Sequence, residues 1–188
     1  MGHANQFYFA TRWIDPRKVR KVVEIGSKDY GSTVPWRKVF KGAEYVGTDL
    51  EAGPGVDVVA DVTKGIDGLP TDADLVICCS VLEHVERPWI AAENLMRLLK
   101  PGGVLYIATP WVWRYHPYPD DYFRFSFNGI RSLFPGLEWV AQEYSTNKNS
   151  RDFIPAVNGS DNALAVESDG VKYLPYLELH SLGVKSGN

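Results

Sequence analysis

With 188 residues, of which 45% are hydrophobic and 23% charged, the chain has the size and composition of a single globular domain, residues 1–188, which excludes a disordered or fibrous protein. A formal charge of -3 excludes the broad positive field that general nucleic-acid affinity needs. No apolar run approaches the ~20 residues of a membrane span, and the opening Met-Gly-His-Ala-Asn-Gln has no basic-then-apolar leader, so a cytoplasmic monomer or homodimer with no membrane partner is expected.

The first strong element is Lys21-Val22-Val23-Glu24-Ile25-Gly26, a β-branched run ended by glycine, as a buried parallel strand looks at its C-terminal edge. The basic residues ahead of it, Arg12, Arg17, Lys18, Arg20 and Lys21, read as a solvated face. Thr33–Phe40 predicts a short amphipathic helix, and Glu44–Asp49 a second strand ending in an acid, the spacing of a βαβ unit. Val56–Asp61 and Asp74–Cys79 predict strands three and four. Cys78 and Cys79 adjoin inside an apolar run and so read as small buried residues, not as a disulfide.

Pro88 suits a first helical position, and Ala91, Leu95, Leu98 and Leu99 share one face of the helix it starts, which Pro101-Gly102-Gly103 stops. Val104–Thr109 predicts a fifth strand. The stretch from Trp111 to Phe125 is too irregular for a strand and too aromatic for an idle linker, so it is expected to fold back over the sheet edge. A helix over Asn128–Phe134 and a sixth strand over Leu137–Tyr144 follow. The polar stretch Asn147–Gly170 reads as an excursion holding a short strand at Ala163–Glu167, with the last strand at Tyr176–Val184. This alternation predicts an α/β fold, a Rossmann-like doubly wound sheet with helices on both faces.

Ligands of such sheets bind beyond the carboxyl ends of the strands. There the chain places Glu24 to Gly31, Asp49, Asp61, Ser80 and the loop after Thr109. The glycine pattern Gly26-Ser27-Lys28-Asp29-Tyr30-Gly31 lacks the G-x-G-x-x-G that brings a backbone against a pyrophosphate, which disfavours a nicotinamide dehydrogenase. An adenosine without phosphates needs an acid for the ribose diol and a donor and acceptor for the adenine edge. Asp49 can take both ribose hydroxyls, Asp61 the adenine amine, the Val62 N–H can donate to a ring nitrogen, and Leu50 can pack on the purine. Glu24 suits an α-ammonium group, and a carboxylate-lined site suits a sulfonium.

These residues resemble the motifs of the class I S-adenosylmethionine-dependent methyltransferases, in particular the small bacterial group with a Leu-Glu-His-Val and a Lys-Pro-Gly-Gly step. Val22–Gly26 is similar to their first motif, Tyr45–Leu50 to the ribose motif, Ala60–Val62 to the adenine motif, and Asp74–Val85 and Leu98–Ile107 to the two later ones. The resemblance runs from about Lys21 to Phe134 and implies S-adenosylmethionine as cofactor and a seven-stranded sheet, mainly parallel, with the last strand antiparallel. It divides the chain into a cofactor half, about residues 20–110, and a substrate or lid half, about 110–188. The cofactor set is Glu24, Gly26, Ser27, Gly31, Asp49, Leu50, Asp61, Val62 and Ser80. Lys28 departs from the pattern, standing where many members have a second glycine. With about twenty residues ahead of the first strand, any lid is expected from later segments.

Methyl transfer gains much of its rate from holding the acceptor near the methyl in a dry pocket, and a base helps when the acceptor is a hydroxyl or protonated amine. His84, just past the fourth strand, is the first candidate base, and Glu83 beside it reads as a helix-start or surface acid. The resemblance extends to a His-x-x-Pro-x-Asp-Tyr-x-Arg-Phe pattern at His116, Pro119, Asp121, Tyr122, Arg124 and Phe125. His116 and Asp121 join His84 as catalytic candidates; Trp111, Tyr115, Tyr118, Tyr122 and Arg124 are the substrate-binding ones, and no metal ligands are assigned. An Asp121–Arg124 pair that only fixes the loop weighs equally with substrate contact. A small-molecule or glycan acceptor, methylated on oxygen or nitrogen, is expected; a methyltransferase-like binding module without turnover is the alternative.

Overall fold

The computed structural model describes residues 3–31, 33–113, 115–146, 153–155, 166–168, 171–173 and 177–187. Its elements in chain order are α1 (His3–Trp13), β1 (Lys21–Ile25), α2 (Trp36–Val39), β2 (Glu44–Asp49), β3 (Val58–Val59), β4 (Ala73–Cys79) and a 3-10 turn (Leu82–His84). There follow α3 (Pro88–Leu98), β5 (Leu99–Val112), α4 (Phe127–Leu133), β6 (Leu137–Thr146), β7 (Phe153–Pro155), β8 (Val166–Ser168), β9 (Val171–Tyr173) and β10 (Leu177–Lys185). The main sheet runs β3-β2-β1-β4-β5-β10-β6-β7. β1 to β5 pair in parallel, and β10 lies antiparallel between β5 and β6. The expected seven strands with the last one reversed are present; the short β7 adds an eighth at the β6 edge, and β8 and β9 form a separate ribbon.

Side chains alternate between two cores, as the period of two along a strand requires. Val23, Ile25, Val76, Cys78, Leu105 and Ile107 face α3 and α4, where Ala91, Leu95, Leu98, Ile130 and Phe134 meet them. Val22, Leu75, Ile77, Tyr106 and Ala108 face the other way, against Phe9 and Ala10 of α1 and Trp36 and Phe40 around α2. α1 was not expected, and it covers one face of the sheet. Its inward face is Asn5, Gln6, Phe9 and Ala10, all buried. Of the basic residues there, Arg12, Arg17, Lys18 and Arg20 are exposed, Arg17 pairing with Asp15, and Lys21, half-buried at the start of β1, pairs with Asp72.

Two elements are shorter than their sequence signals, and a third is shifted by one residue. α2 begins at Trp36 instead of Thr33 because Val34 precedes Pro35, which pushes it out of helical backbone. β3 is two residues long, although its neighbours still bond along β2, Asp57 N–H to the Gly47 carbonyl at 2.8 Å and Ala60 N–H to that of Asp49 at 2.9 Å. α4 starts at Phe127, one residue early, because the Ser126 hydroxyl caps it by accepting from Gly129 N–H at 3.1 Å. The expected strand at Ala163–Glu167 falls largely outside the described residues, β8 beginning at Val166, and so does Tyr176 at the start of the last strand.

Candidate functional site

The chain runs outward from β1 through β2 to β3, then returns to β4 on the other side of β1. Loops diverge at that switch point, and a cavity of about 820 Å³ opens there beyond the strand ends. Glu24, Gly26, Asp49, Leu50, Asp61, Val62 and Ser80 line it, as do His84, His116, Tyr118 and Tyr122. Sequence reasoning missed Gln6, which reaches it from α1, and Trp36, Glu86 and Arg87.

The first loop is shaped by close contact. Gly26 has φ +75°, and a Cβ there would fall 2.4 Å from Val81 Cγ2, so only glycine lets β1 turn so tightly against the loop after β4. Asp49 closes β2; its Oδ2 accepts from the Lys28 N–H at 3.1 Å and its Oδ1 from the Glu51 N–H at 3.3 Å, which fixes the carboxylate and leaves lone pairs toward the cavity. Glu24 accepts from the Tyr45 hydroxyl at 2.5 Å. Burial pushes the Glu24 carboxyl up to about 7, against the Tyr45 hydrogen bond and the positive charge of Arg37. Asp61 is burdened by partial burial, but hydrogen bonds from Thr63 and the Lys64 ammonium outweigh it and hold the group below the usual carboxylate range. Asp61 thus also ties down its own turn. Ser80 has φ +55°, the left-handed region that costs a side-chain-bearing residue roughly 1 kcal/mol or more, and its N–H donates to the Ala108 carbonyl at 2.7 Å.

Two expected cofactor residues do not line the cavity. Ser27 is buried behind it, against Gly47 and Gly55, and Gly31 serves the loop turn, its N–H donating to Asp29 Oδ1 at 2.7 Å. Lys28, the departure from the family pattern, lines the cavity, but its ammonium pairs with Glu51 at 2.7 Å. No helix among the described residues is long and apolar enough to cross a membrane.

At the other end the aromatic loop folds over the 3-10 turn: the N–H groups of Tyr122 and Phe123 both donate to the Glu83 carbonyl, at 2.8 and 3.2 Å. Glu83 itself is fully buried, not on the surface, and its Oε2 accepts from the Thr109 hydroxyl at 3.1 Å. Its acidity is weakened to about 8 by desolvation, against the hydrogen bonds it receives. His84 Nδ1 lies 2.6 Å from the Asp120 carbonyl oxygen, and burial lowers its pKa against that bond. The rings of His84 and His116 meet edge to face at 4.8 Å.

Asp121 and Arg124 form the loop clamp. The Arg124 guanidinium bonds both carboxylate oxygens and also the carbonyls of Phe123 and Trp113, holding the Asp121 carboxyl far below its ordinary range. Neither lines the cavity, and together they fix the loop. Asp121 instead holds His116, accepting from its N–H at 2.9 Å and lying 3.1 Å from its Nδ1. Trp111 packs against Tyr144 in the core and Tyr115 is exposed, and neither lines the cavity. Irregular spacing hid which aromatics face inward.

Residues 23–105 match the family model described as a methyltransferase domain. The ubiquinone biosynthesis O-methyltransferase of Pseudomonas aeruginosa is 30% identical over 114 residues, 52% of this chain and 48% of that protein; the Pseudomonas putida enzyme is 26% identical over the same span. The chain spans about half the length of these curated relatives. Among solved structures, a putative methyltransferase of Bacillus halodurans superposes with a TM-score of 0.65 at 14% identity, covering 97% of this chain and 98% of that one. The 1,6-didemethyltoxoflavin N1-methyltransferase of Burkholderia thailandensis, solved with S-adenosylhomocysteine, gives 0.63 at 13% identity, covering 97% and 76%.

Proposed function

We propose, from the premise that this chain belongs to the class I methyltransferases and carries their methyltransferase domain over residues 23–105, that it methylates an oxygen or nitrogen of a small-molecule or sugar acceptor with S-adenosylmethionine. The observation that carries the reading is a single cavity with acids at one end and two imidazoles at the other. Its volume of about 820 Å³ falls in the upper part of the range of roughly 300–1,000 Å³ seen for ligand pockets, room for a cofactor and a small second substrate.

The residues present fit the cofactor. The Gly26 turn leaves space that any Cβ would fill, Asp49 is held with lone pairs facing inward, and Glu24 stands at the tip of β1 for an ammonium group. The lysines on this wall are neutralised, Lys28 by Glu51 and Lys64 by Asp61, so the end that receives a cation stays acidic. Asp61 and Val62, beyond β3, take the adenine edge, with Leu50 over the ring. When bound, the cofactor supplies a methyl group on a positively charged sulfur.

Toward the acceptor, His84 and His116 form the polar end of the cavity, and Tyr118 and Tyr122 supply apolar surface for a planar or sugar ring. His84, its Nδ1–H given to the Asp120 carbonyl, presents Nε2 as the lone-pair nitrogen that receives an acceptor proton. Asp121 and Arg124 hold His116 and the loop in place. The test is to incubate the protein with S-adenosylmethionine and panels of phenols, sugars and amines and to measure S-adenosylhomocysteine. Acceptor-dependent product is expected; binding of the cofactor with no turnover on any fraction of a cell extract would favour the inert module.

A further inference from the structure

Glu83, His84 and His116 each bring one ligand-type atom into a group whose members lie within 4.8 Å of one another, although the two histidines come from separate loops. Each is prepared in a way that loop packing alone does not require. Glu83 is fully buried, its Oε2 is used by Thr109, and its Oε1 has no hydrogen-bond partner among the described residues. That oxygen faces His84 Nε2 at 3.9 Å. A buried polar oxygen without a partner costs roughly 1–3 kcal/mol, so its persistence favours a ligand at this site. His84 Nδ1 must donate to the Asp120 carbonyl, which puts the ring's lone pair on Nε2. His116 Nδ1 is set against the Asp121 carboxylate, itself fixed by Arg124. A donor to carbonyl or carboxylate on the far ring nitrogen is the arrangement that orients metal-bound histidines.

We propose that Glu83, His84 and His116 form a binding site for one divalent transition-metal cation at the acceptor end of the cavity. Two imidazole nitrogens with one carboxylate oxygen suit zinc, iron, cobalt or nickel; magnesium and calcium favour oxygen-rich shells. Because ligand atoms around such an ion at about 2.0–2.2 Å stand closer together than these do, loading draws the three side chains together. His84 and His116 line the cavity, so the remaining coordination positions open onto the acceptor. A hydroxyl bound there loses its proton more easily, because the cation stabilises the oxyanion. With the His84 Nε2 lone pair given to the cation, the cation takes the place of His84 in easing loss of the acceptor proton, which leaves to solvent; that role rests on the methyl-transfer reading, and the metal site itself does not.

The test uses the full chain, stripped with chelator and titrated with Co²⁺. One cobalt per chain is expected, with visible ligand-field absorption that Zn²⁺ displaces. Glu83→Gln and His116→Gln each weaken cobalt binding by roughly tenfold to a hundredfold or more, the range seen even for loss of outer partners. Their affinity for S-adenosylhomocysteine, measured by calorimetry on the same samples, stays unchanged. Asp49→Ala behaves in reverse, keeping cobalt and losing S-adenosylhomocysteine. Cobalt binding that neither substitution weakens, or no binding at millimolar Co²⁺ to folded protein, overturns the metal site and leaves the methyl-transfer reading standing. A metal site in a protein that ignores S-adenosylhomocysteine overturns the latter alone. Where Glu83→Gln does not fold, His116→Gln, at the cavity wall, decides the matter.

Discussion

At the β1–β2 end of the cavity the acids lean on what lies beside them in the sheet: Asp49 on the amides of Lys28 and Glu51, Glu24 on the Tyr45 hydroxyl of the neighbouring strand. At the acceptor end the polar groups depend on chain far away. Glu83 is held by Thr109 of β5, His84 by the carbonyl of Asp120, and His116 by Asp121 of a loop that folds back over the 3-10 turn. The first end is therefore a property of the sheet and survives changes elsewhere. The second is a property of one loop closing on another, and a single fault in the closure removes all of it.

The sharpest way to break that contrast is Asp121→Ala. It strips the partner from a half-buried guanidinium and frees His116, and removing one side of such a pair costs about 3–5 kcal/mol when it is well buried. A loss near the lower figure is expected in urea unfolding, with methyl transfer abolished. Affinity of the remaining folded protein for S-adenosylmethionine should hold, and a parallel loss of cofactor binding would show that the two ends are one unit. Asp49→Ala is next, and opposite in kind. It should leave stability nearly intact and weaken cofactor binding by about 1–3 kcal/mol, the cost of unpaired ribose hydroxyls; calorimetry with unchanged affinity would move the ribose elsewhere.

The same contrast governs what could be read from the sequence. Strands one, two, four and five announce themselves as apolar runs, and the acids at the ends of strands one to three, Glu24, Asp49 and Asp61, fall at the cavity because parallel topology puts every strand tip on one edge. α1 escaped because half of its buried stripe is Asn5 and Gln6; Gln6 donates to the buried Glu178 at 2.5 Å, so a polar pair stands where periodicity looks for leucines. Glu83 read as a surface acid because its burial is created by Thr109 and the returning loop, neither of which is near it in sequence. For Asp121 and Arg124 the residues and their pairing were legible, but a three-residue spacing does not say whether the pair lines the cavity, and it does not.

A smaller effect concerns pH. Burial raises the Glu24 carboxyl to about 7, with Tyr45 and Arg37 opposing and Asp29 and Asp49 adding to the rise. The ammonium of the cofactor favours the ionised form, so affinity should climb as pH passes through that value, by about tenfold between about pH 6 and 8. Stability runs the other way. The folded state holds a proton that the unfolded chain releases near the ordinary 4.5, so this group's contribution is greatest below that value and is lost as pH rises toward about 7. Glu24→Gln should flatten both profiles, and a pH-independent calorimetric affinity in the parent would place the ammonium away from β1.

The least perturbing change is Lys28→Ala, at the position where the chain departs from the family pattern. Its amide, which braces Asp49, is retained, and what disappears is a pair with the exposed Glu51, a cation over the Tyr30 ring at 5.3 Å and a stem lying along Gly53. Exposed pairs of this kind contribute roughly 0.2–1 kcal/mol, so stability should fall by no more than that and cofactor affinity should hardly move. A large loss of affinity would mean that the ammonium leaves Glu51 for the ligand, and the cofactor end would then depend on a mobile side chain as the acceptor end depends on its loop.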